Sequence, residues 1–416
     1  MKILTISAYI SSNVLPCYQR NKTGYGYMVH DISKTLVENG NQVDALTYIY
    51  RHKGIVIDGV RYMGYSWLSI IRSLFLCVSF SEYVQLARKY PMSYSSKIRL
   101  LYCWMLTGYY RYIIKHGQYD VIHFHGIGYA TDLWVKLCNM MNQPYVITIH
   151  ALTSFSDTVK LEPAGKLYER NFFKRVVDES IPITVVGSGM KQMIEQTCKV
   201  SECDNIKVVI NSISFPKDNS ENYLDLRKLY NIPAGGKIIL YVGNICERKN
   251  QRQIIDAFDY LPDTVANNAY VLFLGGNKVN DYNINTFINN SKYKRHFVYC
   301  GVVEKNMLAS YYRQADAVAL LSVSEAFGLS LAEGMHFGLP SLAFNNIDAI
   351  KDIFNPETMV CVREHSDKSV AEGIVELLSK KWNKENIKSI SKKFDGEVMA
   401  NEYIRVYSTL TRPKYI

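Results

Sequence analysis

The sequence contains no long uncharged apolar run. Its most apolar stretch, residues 67–80, is interrupted by Arg72 and followed by Glu82, so it falls short of the roughly 18 apolar residues that a spanning helix requires. Met1 and Lys2 lead directly into the apolar residues 3–7, a pattern that resembles a buried strand rather than a signal peptide. The sequence therefore predicts neither a transmembrane helix nor secretion.

Paired metal ligands are also missing. The nine cysteines are scattered singly, without a Cys-x-x-Cys pair, and no Asp-x-Asp pair occurs anywhere in the chain. Cys198 and Cys203 lie near each other in sequence but have no His or further Cys close by. An odd number of cysteines without a framework predicts reduced thiols in the cytosol, and we expect no bound metal.

The chain has no long block of Lys or Arg, although its formal net charge is +10. Such an excess favours anionic partners, namely phosphates, a nucleotide or an acidic membrane surface. Because no motif that reads bases accompanies the charge, we do not expect nucleic acid to be a partner.

The composition is that of a globular protein with two cores. A chain of 416 residues exceeds what one hydrophobic core usually organises, so we expect two domains. The apolar fraction of 48% and the charged fraction of 21% are ordinary. The 32 tyrosines suit surfaces that stack on sugars, but they equally fit a habit of composition.

The first half alternates short apolar runs with helical patterns, which indicates βαβ units and a parallel sheet. After residues 3–7 we expect a loop with Gly24 and Gly26, and then a helix that ends at Gly40. The remaining predicted strands of this half are 42–47, 121–124, 145–149 and 183–186.

The second half repeats this pattern after the polar stretch 211–222, which reads as an interdomain linker. Residues 397–410 predict a terminal helix. The predicted domains are 1–213 and 214–395, with 396–416 as a C-terminal helix. The predicted strands of the second half are 237–242, 270–274, 297–299, 317–321 and 341–344. This is an α/β fold with two Rossmann-like domains, whose ligands bind at the carboxyl ends of the strands.

The most specific motif lies at residues 322–335, directly after a predicted strand. Glu325 falls in the strand-to-helix loop, and Glu333 falls on a helix that begins near Gly328. Amides at such a helix start hold anions, and a glycine lets the backbone approach a diphosphate closely. Glu333 is placed to accept hydrogen bonds from ribose hydroxyls.

This motif resembles the GT-B glycosyltransferases, in particular the large retaining family 4-like group with two glutamates and an intervening Phe-Gly. The resemblance implies that Glu325 contacts the donor sugar and that Glu333 holds the ribose. It also implies that the C-terminal helix returns to the N-terminal domain. The residues around sugar and phosphate would be Phe327, Gly328, Leu329 and Ser330.

A second segment, residues 241–250, ends the first strand of the second half. Gly243 and the cation Lys249 suit a turn that binds phosphate. The resembled family has an arginine where this chain has Asn244. Arg248 adjoins Lys249 and either replaces that arginine or leaves the charge stabilisation to Lys249.

The resemblance extends to loops at other strand ends. It implies that His150, at the end of 145–149, contacts the donor sugar across a cleft between the domains, whereas His123 and His125 are more often structural. Gly26 would border the donor diphosphate, and Val302, in the loop after 297–299, would lie near the nucleobase. Either loop also fits a plain turn.

Two aromatic and basic segments, 67–90 and 97–115, fall in the first domain, where acceptors of the resembled family dock. Trp67, Ile70, Ile71, Leu74 and Phe75 fit a membrane interface, but they also fit core helices, which is the interpretation that we adopt.

We therefore predict a metal-independent, retaining transfer of a sugar from a UDP- or GDP-linked donor to a saccharide or lipid-linked saccharide. No other cofactor is expected, and the protein would be cytoplasmic, with peripheral membrane contact. Two other functions remain: a nucleotide-sugar epimerase and a non-catalytic GT-B subunit, the latter favoured by Asn244.

Overall fold

The computed structural model describes residues 1–10, 24–48, 54–155, 162–215, 224–277, 282–347 and 350–411. The chain divides into two compact units. Unit 1 comprises Met1–Val186, Met190–Ser212 and Gly396–Ile416, and unit 2 comprises Gly187–Gly189 and Ile213–Asp395. The predicted linker 211–222 lies largely outside the described residues.

The chain up to Ser212 forms an eight-stranded sheet in the order β3-β4-β2-β1-β5-β6-β7-β8. The strands are β1 (Lys2–Ser7), β2 (Gln42–Thr47), β3 (Ile55–Ile57), β4 (Val60–Tyr62), β5 (Val121–His125), β6 (Tyr145–Ile149), β7 (Ile183–Val185) and β8 (Ile206–Val208). The helices are α1 (Gly24–Glu38), α2 (Trp67–Arg72), α3 (Phe80–Lys89), α4 (Tyr94–Gly117), α5 (Thr131–Met140), α6 (Pro163–Asp178) and α7 (Ser188–Cys198).

The later chain forms a six-stranded parallel sheet in the order β11-β10-β9-β12-β13-β14. Its strands are β9 (Lys237–Val242), β10 (Ala269–Leu274), β11 (Phe297–Gly301), β12 (Ala317–Leu320), β13 (Ser341–Phe344) and β14 (Met359–Val362). The helices are α8 (Leu226–Leu229), α9 (Gln251–Ala257), α10 (Asp263–Ala266), α11 (Ile284–Asn290), α12 (Lys305–Gln314), α13 (Leu329–His336), α14 (Ile350–Ile353), α15 (Asp367–Ser379), α16 (Lys384–Ser391) and α17 (Gly396–Thr411).

Burial explains why the central strands form parallel sheets. Strands β1, β5, β6 and β9 are almost wholly buried and consist mainly of apolar residues, as parallel strands covered on both faces require. Each sheet also has a point where the strand order reverses, between β1 and β5 and between β9 and β12. Loops at the carboxyl ends of these strand pairs form the usual ligand crevice of open α/β sheets. The predicted α/β fold is confirmed.

The terminal helix α17 belongs to unit 1. Its residues Tyr403 and Tyr407 are fully buried there, and the Tyr407 hydroxyl lies 2.7 Å from Nδ1 of His123 in β5. The prediction that the C-terminal helix packs on the N-terminal domain is therefore confirmed.

Two local expectations are wrong. Gly24 and Gly26 lie in the first turn of α1 rather than in a loop before it, because the helix begins at Gly24. The segment 67–90 does not form core helices on all sides. Ile70 is fully buried, but Trp67, Ile71 and Phe75 are exposed.

Among the described residues, no helix is both long enough and apolar enough to cross a membrane.

Candidate functional site

The loops after β9 and β10 approach each other closely in unit 2. Gly243 has a φ of 153° and Gly275 a φ of 148°, a backbone region open almost only to glycine. A Cβ atom on Gly275 would lie 2.0 Å from the Gly243 carbonyl oxygen. The crossing of the two loops therefore depends on glycine at position 275.

Three charged side chains meet at the carboxyl ends of β9 and β12. Nζ of Lys249 lies 2.5 Å from Oε1 of Glu325, and Nη1 of Arg248 lies 3.0 Å from the same oxygen. Arg248 also donates a hydrogen bond of 2.8 Å to the Ser324 carbonyl oxygen. We call Arg248, Lys249 and Glu325 the charged cluster. It carries a net charge of +1 at the strand-order reversal of this sheet.

Tyr241, near the end of β9, joins the two loops of the charged cluster. Its buried hydroxyl donates to the Lys249 carbonyl oxygen and accepts from the Leu321 amide at 2.8 Å. The Val323 amide donates to the Arg248 carbonyl oxygen at 2.9 Å. Sequence reasoning missed Tyr241, since a tyrosine within an apolar strand reads as core.

Glu325 remains a carboxylate in this setting. Burial by itself raises the pKa of Glu325, but the nearby charges of Lys249 and Arg248 outweigh burial and hold the pKa below its ordinary value. A buried carboxylate shared by two cations is a charged acceptor that can exchange partners when an anion or a sugar hydroxyl arrives.

Helix α13 begins close in sequence to the charged cluster. Gly328 precedes it with a φ of 83°, which favours glycine. Ser330, in its first turn, is buried, and its hydroxyl has no hydrogen-bond partner among the described residues. One turn on, Oε2 of Glu333 accepts a 2.6 Å hydrogen bond from the Tyr312 hydroxyl of α12. Tyr312 is a second position that sequence reasoning missed.

The other predicted donor residues of unit 2 differ in exposure. The Phe327 side chain is buried and packs edge-on against Phe394, and its predicted donor contact stays a prediction. Leu329 is partly exposed, and Asn244 and Val302 are exposed. Asn244 is uncharged, whereas Arg248 forms an ion pair with Glu325.

In unit 1 the predicted histidines lie together at the ends of β5 and β6. Nδ1 of His125 lies 3.0 Å from Nε2 of His150, and Nε2 of His123 lies 2.6 Å from the Thr148 hydroxyl. Burial lowers the pKa of His123 and of His150 to about 3, and it lowers the pKa of His125 well below its ordinary value. All three rings are therefore neutral near pH 7.

Tyr25 fixes the neighbouring strand ends of unit 1. Its hydroxyl donates to the His125 carbonyl oxygen at 2.7 Å and lies 2.8 Å from the Ser7 hydroxyl, while its ring meets His150 edge-on. Gly26 follows it within the first turn of α1. The predicted role of Gly26 toward a diphosphate stays a prediction.

Within the described part of the chain, no group of three or more His, Cys, Asp or Glu residues has the arrangement of a metal site. Metal independence itself stays a prediction.

Two family models match the chain in succession. The Glycosyltransferase Family 4 model matches residues 23–214, and the Glycosyl transferases group 1 model matches residues 223–394. Together they cover most of both units.

Similar proteins include two that are named as glycosyltransferases. An uncharacterized glycosyltransferase from Methanocaldococcus jannaschii is 26% identical over 314 residues, which are 71% of this chain and 76% of that protein. The putative teichuronic acid biosynthesis glycosyltransferase TuaC from Bacillus subtilis is 22% identical, over 70% of this chain and 71% of its own.

Solved structures share the fold over the whole chain. The HepE protein from Anabaena, in complex with UDP-glucose, aligns with a TM-score of 0.66 and 13% identity over 99% of this chain and 100% of its own. Sucrose-phosphate synthase from Thermosynechococcus elongatus aligns with a TM-score of 0.68 and 16% identity over 99% of both chains. The protein therefore belongs to the GT-B glycosyltransferases, with a Family 4 first half and a group 1 second half.

Proposed function

We propose that unit 2 binds the diphosphate of a nucleotide sugar at the charged cluster and at the start of α13. The observation that carries this proposal is the meeting of Arg248, Lys249 and Glu325 at the strand-order reversal of the six-stranded sheet. Ligands of open α/β sheets bind at such a point. The buried Ser330 hydroxyl at the start of α13 gives the site a further donor for a phosphate oxygen.

Each residue then has a role in sugar transfer. Negative charge grows on the departing diphosphate, and Lys249 and Arg248 stabilise it together with the first amides of α13. Glu325 exchanges one of its cations for hydroxyls of the donor sugar, and Glu333 binds the ribose. These cations supply the charge that a divalent metal supplies in other transferases, so we propose a metal-independent reaction.

We propose that the reaction retains the anomeric configuration. The acceptor hydroxyl attacks from the face that the diphosphate leaves. The C–O bond to the phosphate breaks as the bond to the acceptor oxygen forms, and the departing phosphate oxygen takes the acceptor proton. His150 is kept as a predicted contact of the donor sugar.

The donor is proposed to be a UDP-sugar, with a GDP-sugar as the second candidate. The UDP-glucose complex of HepE supports UDP. The similarity to TuaC, a putative teichuronic acid biosynthesis glycosyltransferase, supports an acceptor in cell-surface polysaccharide or glycolipid synthesis. We propose that the protein acts in the cytoplasm as a peripheral membrane protein. The non-catalytic alternative was favoured by Asn244, which stands where the resembled family has an arginine. Arg248 argues against that alternative, because it supplies a second cation to the charged cluster.

The test is hydrolysis of UDP-, GDP- and ADP-sugars by the purified protein, with and without EDTA. We expect turnover of one donor class, unchanged by EDTA, and its loss in Glu325→Gln and Lys249→Met. Lys237→Met is the matched control. Lys237 lies at the amino end of the same strand β9, at the other end from the charged cluster, and pairs with Asp316 at 3.0 Å. Equal loss in all three variants, or none in the first two, would show that the site is misassigned. Turnover that releases an epimerised nucleotide sugar would identify an epimerase instead.

A further inference from the structure

Residues 63–117, between β4 and β5 of unit 1, carry a disproportionate share of the positive charge. The segment contains seven Lys or Arg residues and one acid, Glu82, and so holds six of the ten excess positive charges of the chain. Glu82 is paired with Lys136 at 3.1 Å. No described acidic residue forms an ion pair with the exposed cations Arg72, Arg88 and Arg99. Arg72, Arg88 and Arg99 are therefore available to an external anion.

The same segment exposes a stripe of large apolar side chains. Trp67 is 46% exposed, Leu68 55%, Ile71 56% and Phe75 82%. We call these four residues the apolar stripe. Ile70, on the other side of α2, is fully buried and already anchors the helix. About half or more of the surface of three of these side chains, and most of that of Phe75, is therefore left in water, which is unfavourable.

Cations lie beside the apolar stripe. Arg72 follows Ile71 in α2 and is exposed. The Trp67 ring meets Tyr102 of α4 edge-on, at 5.7 Å between ring centroids. One helical turn before Tyr102, Ile98 and Arg99 are exposed. An apolar strip that contains a tryptophan and is flanked by arginines is the composition of helices that lie in a membrane interface.

We infer that the apolar stripe, with Arg72 and Arg99, docks the protein on an anionic lipid surface. The apolar side chains enter the boundary between headgroups and acyl chains, and the cations pair with lipid phosphates. A second copy of this chain is a poorer partner, because its own segment 63–117 would bring the same excess of positive charge. The inference deepens the proposed function by locating its acceptor at a membrane, but docking itself does not require catalysis.

The test is co-sedimentation of the full chain with vesicles, of phosphatidylcholine alone or with about a third phosphatidylglycerol. We expect binding to the anionic vesicles that weakens when salt rises from about 0.1 M to about 0.5 M. Trp67→Ser with Phe75→Ser should lower the partition coefficient at least about tenfold. Arg72→Gln and Arg99→Gln should each lower it about fivefold. The matched control is Leu229→Ser with Tyr260→Ser, which removes two exposed apolar side chains from unit 2, at 52% and 59% exposure, and should bind as the wild type does.

Three results would overturn the inference. In the first, the wild type stays in solution with anionic vesicles. In the second, Trp67→Ser with Phe75→Ser, which we call the stripe variant, sediments as the wild type does. In the third, the wild type is a dimer in solution and the stripe variant is a monomer. Donor hydrolysis without vesicles is measured in parallel and should be the same in wild type and stripe variant. If hydrolysis is absent from both but sedimentation behaves as expected, the transferase proposal fails while the docking surface stands.

Discussion

At the scale of single residues, the charged cluster owes its character to one carboxylate shared by two cations. Lys249 and Glu325 were predicted as site residues from sequence, because each follows a strand at a spacing typical of the family. The pairing of Arg248 with Glu325 was not predictable, since it depends on how far two separate loops reach. Tyr241 and Tyr312 were missed because their hydroxyl partners are set by packing rather than by spacing.

Arg248 is expected to replace the arginine that the resembled family has at the position of Asn244. Arg248→Met should lower kcat about tenfold to hundredfold, because one charged donor to the departing diphosphate is lost. Arg252→Met is the control, since Arg252 lies four residues on and pairs only with Asp256 among the described acids, at 3.0 Å. Steady-state kinetics of both variants decide the matter, and equal kcat values in wild type and Arg248→Met would leave the charge stabilisation to Lys249.

Tyr312 is expected to act through Glu333. Tyr312→Phe removes the hydroxyl that donates to Glu333 at 2.6 Å, so the carboxylate loses the contact that orients it in the proposed ribose site. We expect KM for the nucleotide sugar to rise about fivefold, the effect of about one hydrogen bond, with kcat nearly unchanged. Tyr311→Phe, which breaks a 2.7 Å contact with Tyr230 instead, should leave KM as it is. A fall in kcat alone would argue against a role in binding.

At the scale of elements, buried strands inside each sheet were predictable, whereas short strands at or near the sheet edges were not. The predicted bounds of β2, β6, β9 and β13 agree with the structure, because buried parallel strands are continuous apolar runs. The prediction did not include β3, β4, β8 or β14, which have three or four residues each and pair at or near the sheet edges.

Because the loops after β9 and β10 approach each other closely, we expect one added methyl group at Gly275 to lower the stability of the protein strongly. Gly275→Ala places a Cβ against the Gly243 carbonyl oxygen in a backbone region that alanine disfavours. We expect a loss of about 2 kcal/mol or more in stability and weaker UDP binding. Gly235→Ala is the control, because a Cβ there meets nothing within 4 Å. Thermal unfolding with and without UDP measures both effects, and an unchanged melting temperature in Gly275→Ala would contradict the loop geometry.

The histidines of β5 predict how unit 1 responds to acid. Burial lowers the folded-state pKa of His123 to about 3, so between that value and its ordinary 6.5 the unfolded chain binds more protons. Stability is therefore full above pH 6.5 and falls as the pH drops, by up to about 1.4 kcal/mol per pH unit for each such histidine. His123→Gln should reduce the drop in melting temperature between about pH 7.5 and about pH 5, two values that bracket the ordinary histidine pKa of about 6.5. His116→Gln, at an exposed position, should not, and an identical drop in all three proteins would contradict the prediction.

At the scale of the whole molecule, the two units share an architecture but carry different chemistry. At the strand-order reversal of unit 1 stand neutral groups, namely Tyr25, His125 and nearby His150. At that of unit 2 stand the ionised residues of the charged cluster. The division of charge favours unit 2 as the site for phosphates. The sequence predicted the fold and the family from motifs. For the apolar stripe it left a membrane interface and core helices both open, since burial depends on neighbours that are distant in sequence.

The central claim is that the charged cluster binds the diphosphate of the donor. The most direct measurement is calorimetric titration of wild type, Lys249→Met and Lys237→Met with UDP and, separately, with UMP. We expect Lys249→Met to weaken UDP binding about tenfold or more while UMP binding changes little, because a charge-assisted contact to the second phosphate is lost. Lys237→Met should bind both nucleotides as the wild type does. UDP binding of equal strength in wild type and Lys249→Met would contradict the account.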